Sequence, residues 1–278
     1  MTKYNIEPVE IIRFSDGNVS HVKDLVSVEE PVSIVVQSVN ENGEFDSKPL
    51  SITMRTPGND IDLVSGFLFT EGVIKSREYI QKITIDEESE NAEVLVTLND
   101  DVIIDWKRLE RSFYTSSSCG VCGKNSIEAV KSVCPIVIPQ KQWQITQDLL
   151  SQLPQSLRKV QAGFDQSGGI HAAAWFDLQG ALVDFREDVG RHNALDKLIG
   201  ALWDSNHWPL FNGVLLLSGR ASFELVQKAS MAGVRMICAI GAPSSLAIEL
   251  AEEYGITLVG FLKSNRFNVY SSVERIQF

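Results

Sequence analysis

Cys119 and Cys122 lie three residues apart in the run Ser116-Ser117-Ser118-Cys119-Gly120-Val121-Cys122-Gly123, and they are two of only four cysteines in the chain. Serine and glycine build loops, so both thiols are predicted to be accessible, unlike the inert cysteines of apolar cores. Three sulfur chemistries suit such a pair. A structural zinc site needs four ligands, commonly two such pairs. Here there is one, and Cys134 and His171 complete it at no familiar spacing. A zinc deaminase places His-x-Glu upstream of its cysteines, whereas His171 lies downstream and is followed by Ala172-Ala173, so no metal is expected. Thiol–disulfide exchange normally uses a pair directly after a buried strand near the start of a compact domain. These cysteines lie deep in the chain behind three serines. Persulfide carriage needs an exposed thiolate with reach. A free thiol of pKa ~8.5 is only slightly ionised at neutral pH, and Lys124 is near enough in sequence to favour the thiolate.

A second concentration of chemistry falls where predicted strands end. Val214–Leu217 runs into Ser218-Gly219-Arg220, Met236–Ile240 into Gly241-Ala242-Pro243-Ser244-Ser245, and Thr257–Phe261 into Lys263-Ser264-Asn265-Arg266. Small residues let backbone amides approach phosphate, helix N-termini add partial positive charge, and Arg or Lys adds formal charge. In open α/β sheets, ligands gather beyond these carboxyl ends. The stretch Glu187-Asp188-Val189-Gly190-Arg191-His192-Asn193-Ala194-Leu195-Asp196-Lys197 is equally polar. Asp188 is predicted to cap a helix there and, with His192 and Asp196, to share one of its faces. On its own this stretch reads as a surface helix with local ion pairs, and His171 as a hydrogen-bonded core residue.

The elements that must position these groups follow from periodicity. Residues 31–56 form a predicted β-hairpin around Asn42-Gly43. A helix capped by Asp60 or Asp62 follows, then strands at 80–85 and 93–98 separated by an acidic turn. Beyond the Cys loop come a helix at 126–133, a helix starting near Thr146, and paired strands at 171–176 and 181–185. From about 190 onward, helices alternate with apolar strands, which implies crossovers and a largely parallel sheet. The fold class is therefore α/β (α+β overall): a β-rich N-terminal region at 1–115, a flexible Cys-x-x-Cys loop and connector at 116–134, and an α/β domain at 135–278 with a mainly parallel sheet.

Composition narrows the partners. Against 36 Asp and Glu the chain has 25 Lys and Arg, a formal net charge of −11, which argues against nucleic-acid or anionic-membrane binding. No signal-peptide core or membrane-length apolar run is present. The scattered cysteines fit a reducing compartment, the cytoplasm.

Several stretches together resemble FdhD, the family of formate dehydrogenase accessory sulfurtransferases. They are Ser118-Cys119-Gly120-Val121-Cys122-Gly123, His171-Ala172-Ala173-Ala174-Trp175, the run from Glu187 to Lys197, Ser218-Gly219-Arg220-Ala221-Ser222, Val226-Gln227-Lys228 and Leu258-Val259-Gly260-Phe261. The resemblance implies a homodimer with a cytidine-deaminase-like C-terminal domain lacking zinc chemistry. It implies sulfur received as a persulfide from a cysteine desulfurase and passed to Mo-bis(molybdopterin guanine dinucleotide), the molybdenum cofactor of formate dehydrogenase, with GDP as a mimic of that ligand. The persulfide cysteine maps to Cys119, with Cys122 assisting or resolving. The cofactor-binding stretch maps to Phe261, Leu262, Lys263, Ser264, Asn265 and Arg266. In relatives this segment often reads Lys-Pro-Gly-Arg; here Ser264-Asn265 replaces the Pro-Gly, and Asn tolerates the left-handed backbone a glycine would adopt. Ser218, Gly219, Arg220, His192 and Gly241 complete the expected site. A non-catalytic cofactor-binding chaperone and a thiol–disulfide oxidoreductase are the rival functions.

Overall fold

The computed structural model describes residues 5–39, 43–86, 92–104, 106 and 143–278. Cys119, Cys122, Lys124, Cys134 and the helix expected at 126–133 lie outside them. The N-terminal part opens with a hairpin of β1 (Ile6–Ser15) and β2 (Asn18–Ser27). Asp16 and Gly17 both have positive φ, 51° and 81°, as the tightest hairpin turns require. β3 (Glu30–Val39) pairs antiparallel with β4 (Phe45–Arg55), and parallel with β6 (Ala92–Leu98), which pairs with β5 (Ile80–Asp86). Their β-branched alternation buries one face, including Val32, Ile34, Val36, Val94 and Val96. Helix α1 (Asp60–Thr70) covers that core.

The C-terminal part is a six-stranded sheet in the order β13-β12-β11-β10-β8-β9. It comprises β8 (His171–Phe176), β9 (Leu182–Asp188), β10 (Val214–Leu217), β11 (Met236–Ala239), β12 (Thr257–Lys263) and β13 (Arg266–Ser271). β10, β11 and β12 are parallel neighbours, whereas β8 runs antiparallel to both β10 and β9. β9 therefore points the same way as the three parallel strands. A two-strand unit, β7 (Ile145–Thr146) with β14 (Ile276–Gln277), brings the C-terminus beside the start of this part. Thr146 caps α2 (Gln147–Arg158) through Leu149 N–H, and Leu150, Leu153 and Leu157 of that helix pack one face of the sheet. A short helix, α3 (Ala162–Ser167), follows. Helices α4 (Arg191–Leu202), α5 (Phe223–Met231) and α6 (Ser245–Glu253) pack the other face.

One apolar core runs from β3, β6 and α1 into α4, α5 and β10, because α1 and α4 meet at bare backbone. A Cβ on Gly66 or Gly200 would lie 1.9 Å from the backbone oxygen of Asp196 or Asp62, respectively. Buried ions line the seam. Lys228 Nζ reaches Asp196 Oδ2 at 2.9 Å, Glu71 Oε1 at 2.8 Å and Thr70 Oγ1 at 2.8 Å. Burial works to lower its pKa, but the two carboxylates outweigh that and raise it. Lys197 Nζ pairs with Asp188 Oδ2 at 2.8 Å and donates to Thr56 O.

Several expected helix caps are corrected here. Asn59, not Asp60 or Asp62, precedes α1 and makes no side-chain cap; Asp60 is drawn to Arg55 and Asp62 to Arg186. Gly190 is the N-cap of α4, and Asp188 belongs to β9, so it shares no helix face with His192 and Asp196. Nor is α4 a surface helix: residues 194–199 are all buried, and its ion pairs run outside the helix, to Asp188, Glu224 and Lys228.

Candidate functional site

Because β9, β10, β11 and β12 run in one direction, their carboxyl ends and the start of β8 share one edge of the sheet. Three helices begin there. β9 leads through Gly190 into α4, β10 through Ser218–Ser222 into α5, and β11 through Gly241–Ser244 into α6. Ser244 caps α6 through Ala247 N–H, while α4 and α5 carry no side-chain cap, leaving their first-turn N–H groups without that partner.

Backbone contacts hold these ends shoulder to shoulder. Gly241 N–H donates to Gly219 O at 2.9 Å, and Phe261 N–H donates to Gly241 O at 3.0 Å. Ser218 Oγ accepts Ala172 N–H at 2.8 Å, welding β10 to β8. A Cβ on Gly219 would come within 3.2 Å of His171 Nδ1, and one on Gly241 within 3.0 Å of both Arg220 Cγ and Gly219 O. Glycine at these two positions is thus the condition for close approach. Asp188, 0% exposed, fixes the next turn: Oδ1 accepts from Gly190 N–H and Asn193 Nδ2, and Oδ2 accepts from Thr56 N–H.

Cationic groups converge on this edge. His171 has its pKa lowered by burial first, then by the charges of Arg191, His192 and Arg220, with Asp188 opposing. It is half-buried among cations, and the expected core hydrogen bond is absent among the described residues. His192 Nε2 sits 2.8 Å from Glu224 Oε2 and 3.5 Å from Ser222 Oγ. The guanidinium groups of Arg191 and Arg220 have no ion pair or side-chain hydrogen bond with any described residue. Two unpaired arginines, a neutral histidine and uncapped helix starts make a site for a dianion or a diphosphate.

Of the residues expected from sequence, Ser218, Gly219, Arg220, His192, Gly241 and Phe261 come together here. Lys263 and Arg266 face each other across the β12–β13 hairpin, and with Ser264 and Asn265 they are exposed. That segment is a strand end and a hairpin turn, not a loop after the strand. Leu262 is 0% exposed, turned into the core with Val259, so its side chain is closed to a ligand. The left-handed backbone expected at Asn265 falls instead on Phe261, at φ 53°. Arg191, His171, Ser222 and Glu224 were not singled out as ligand-site residues. The predicted pairing of 171–176 with 181–185 carried a signal for the first two, since it returns β9 parallel to β10 and brings the start of β8 to the same edge.

Other places are chemically closed. Cys238 is buried, which pushes its thiol well up and makes it inert. A cavity of about 920 Å³ between the β1–β2 hairpin and α3 is lined by Arg55, Asp60 and Glu187. Its arginine is already paired with Asp60 and Glu30, so it offers no free cation to phosphate. Among the described residues, no three His, Cys, Asp or Glu side chains are grouped to hold a metal ion, and no helix is long and apolar enough to cross a membrane.

Comparison with known proteins agrees with this architecture. Residues 27–277 match the model of the FdhD/NarQ family. The sulfur carrier protein FdhD of Streptomyces avermitilis is 46% identical over 96% of this chain and 94% of its own. That of Sulfolobus acidocaldarius is 41% identical over 98% of each. The crystal structure of a proposed formate dehydrogenase accessory protein from Desulfotalea psychrophila superposes with a TM-score of 0.74, covering 99% of this chain and 100% of that one at 22% identity. At that identity the likeness concerns the fold alone.

Proposed function

We infer the function from one premise: this chain belongs to the FdhD/NarQ family. It acts as a cytoplasmic sulfur carrier in the maturation of formate dehydrogenase. The Cys119 thiolate attacks the outer sulfur of a persulfide on a cysteine desulfurase; the donor's S–S bond breaks, and the donor cysteine leaves as its thiolate. Cys119 then holds the sulfur as a persulfide. For delivery, the Cys122 thiolate attacks Cys119 Sγ, the persulfide S–S bond breaks, and the outer sulfur leaves as hydrosulfide for the substrate, Mo-bis(molybdopterin guanine dinucleotide). A cellular dithiol reduces the Cys119–Cys122 disulfide so formed, with a homodimer as the working unit.

The observation that supports a phosphate-bearing substrate is the unpaired state of Arg191 and Arg220 at a glycine-lined sheet edge, in a chain whose 36 carboxylates outnumber 25 cations. In this reading the two arginines and the helix starts hold the diphosphate, and Lys263 and Arg266 close over its outer side. Two experiments test it. Peptide mass spectrometry after incubation with a desulfurase and L-cysteine, alkylating without reductant, is expected to find one extra sulfur on the Cys119 peptide. Unmodified thiols beside an active desulfurase would leave a cofactor-binding chaperone. Calorimetry with GDP is expected to show Arg191→Gln/Arg220→Gln weakened by about 1.5–3 kcal/mol per charged hydrogen bond lost. Unchanged affinity would move the phosphate site elsewhere.

A further inference from the structure

The cavity between the β1–β2 hairpin and α3 encloses about 920 Å³, a volume in the range of small-molecule sites. The pairing of Arg55 that closes it to phosphate leaves it open to the opposite charge. Ile6 and Leu25 of the hairpin, Ile85 of β5 and Phe185 of β9 supply apolar walls. Three charged side chains interrupt them, Arg55, Asp60 and Glu187. Arg55 is committed: Nε and Nη2 donate to Asp60 at 2.9 and 3.2 Å, and Nη1 lies 3.4 Å from Glu30. Glu187 has no such partner. No described Lys, Arg or His forms an ion pair with its carboxylate, and Lys197 reaches only its main-chain oxygen, at 3.5 Å.

The surroundings of Glu187 leave that carboxylate under-provided. Burial raises its pKa; the N–H groups of Phe164 and Gly163 and the Gln161 amide oppose this, and the charge of Asp165 adds to it. Its Oε1 is buried without a hydrogen-bond partner among the described residues, and so is Nε2 of Gln161. A carboxylate drawn out of water needs donors or a cation in return. Here the backbone makes room for it: a Cβ on Gly163 would come within 3.0 Å of Glu187 Oε2. An acid short of partners, in an apolar cavity whose one arginine is already neutralised, suits a positive charge carried on an apolar body.

We propose that this cavity binds a small apolar cation, an amine or amidine whose nitrogens face Glu187 and whose hydrocarbon packs on Phe185 and the hairpin. Benzamidine and its neutral isostere benzamide are titrated calorimetrically into the full-length protein and its Glu187→Gln and Ala162→Phe variants, with melting temperatures recorded. Ala162 is an exposed residue of the lining, so a phenylalanine there fills the cavity without entering the core. The wild type is expected to bind benzamidine roughly tenfold more tightly than benzamide. Glu187→Gln should lose that preference and melt no lower than the wild type, since it removes a half-buried charge that lacks a counter-ion. Ala162→Phe should bind neither probe. In the wild type, benzamidine affinity should fall on acidification as Glu187 takes up its proton, while benzamide affinity stays constant. A wild type that does not bind benzamidine, or binds both probes equally, overturns the proposal. So does a preference that survives in Glu187→Gln, or benzamidine binding that survives in Ala162→Phe.

Discussion

Along the α1–α4 seam, Lys197 and Lys228 are buried, and each ammonium is held by carboxylates and neutral oxygens. At the nearby strand-end edge, Arg191 and Arg220 have no carboxylate among the described residues. Both regions draw on α4 and the turn before it, so the difference is not one of available acids. A buried charge must be paired to be tolerated at all, and the seam obeys this completely. A more exposed cation needs no partner, yet an acidic chain that leaves two of them together, with carboxylates held away, keeps room for an outside anion. The contrast teaches that the seam uses charge to fix the fold, while the edge holds charge in reserve for a ligand.

The largest effect that would sharpen this contrast is at the seam's backbone. Gly200→Ala places a methyl group where Asp62 O already lies, and neither helix can yield. A loss of at least ~3 kcal/mol, or failure to accumulate as folded protein, is expected in urea unfolding. A stable Gly200→Ala would show that α1 and α4 are free to separate. Next, Lys228→Met strands Asp196 in the core and should cost about 3–5 kcal/mol, with much of it recovered in Lys228→Met/Asp196→Leu. A double variant no better than the single would break the claim that pairing is the issue. Arg191→Gln, at the edge, should leave unfolding within ~0.5 kcal/mol of the wild type while weakening GDP.

The smallest effect is pH-dependent. His171 has a pKa below its ordinary 6.5 in the folded protein, so below that pH the unfolded chain takes up the proton first and stability falls as pH drops toward the folded value. His171→Gln should flatten this part of the acid limb in melting temperatures taken between pH 7.5 and 5.5. A bound anion favours the protonated ring, so pyrophosphate affinity of the wild type should rise as pH falls through the same range. An unchanged slope in the variant would remove His171 from the cationic cluster.

Elements that bury a regular stripe were legible in the sequence. Val214–Leu217, the helices that follow it, and the helix start near Thr146 all declare themselves locally. So did the strand ends carrying Ser218, Gly219, Arg220 and Gly241. The β1–β2 hairpin was not, because Ile12, Phe14 and Val19 alternate with polar residues yet remain 67%, 73% and 67% exposed; no burial pattern marks them, and only Asp16-Gly17 signals the turn. Asp60, Asp62 and Asp188 were misread as caps because cationic partners, Arg55, Arg186 and Lys197, claim them. Local propensity carries no trace of such contacts. The exposed ring of Phe261 likewise depends on a bulge set by Gly260, Pro243 and Tyr270, which come from three different segments.

Lys228 joins three helices by a single ammonium group, and its place in the chain has a consequence for biosynthesis. Glu71 and Asp196 leave the ribosome before it, and until residue 228 follows them, two carboxylates would have to converge with no counter-ion. Closing α1 against α4 is therefore costlier for a chain that stops short of residue 228 than for the finished protein.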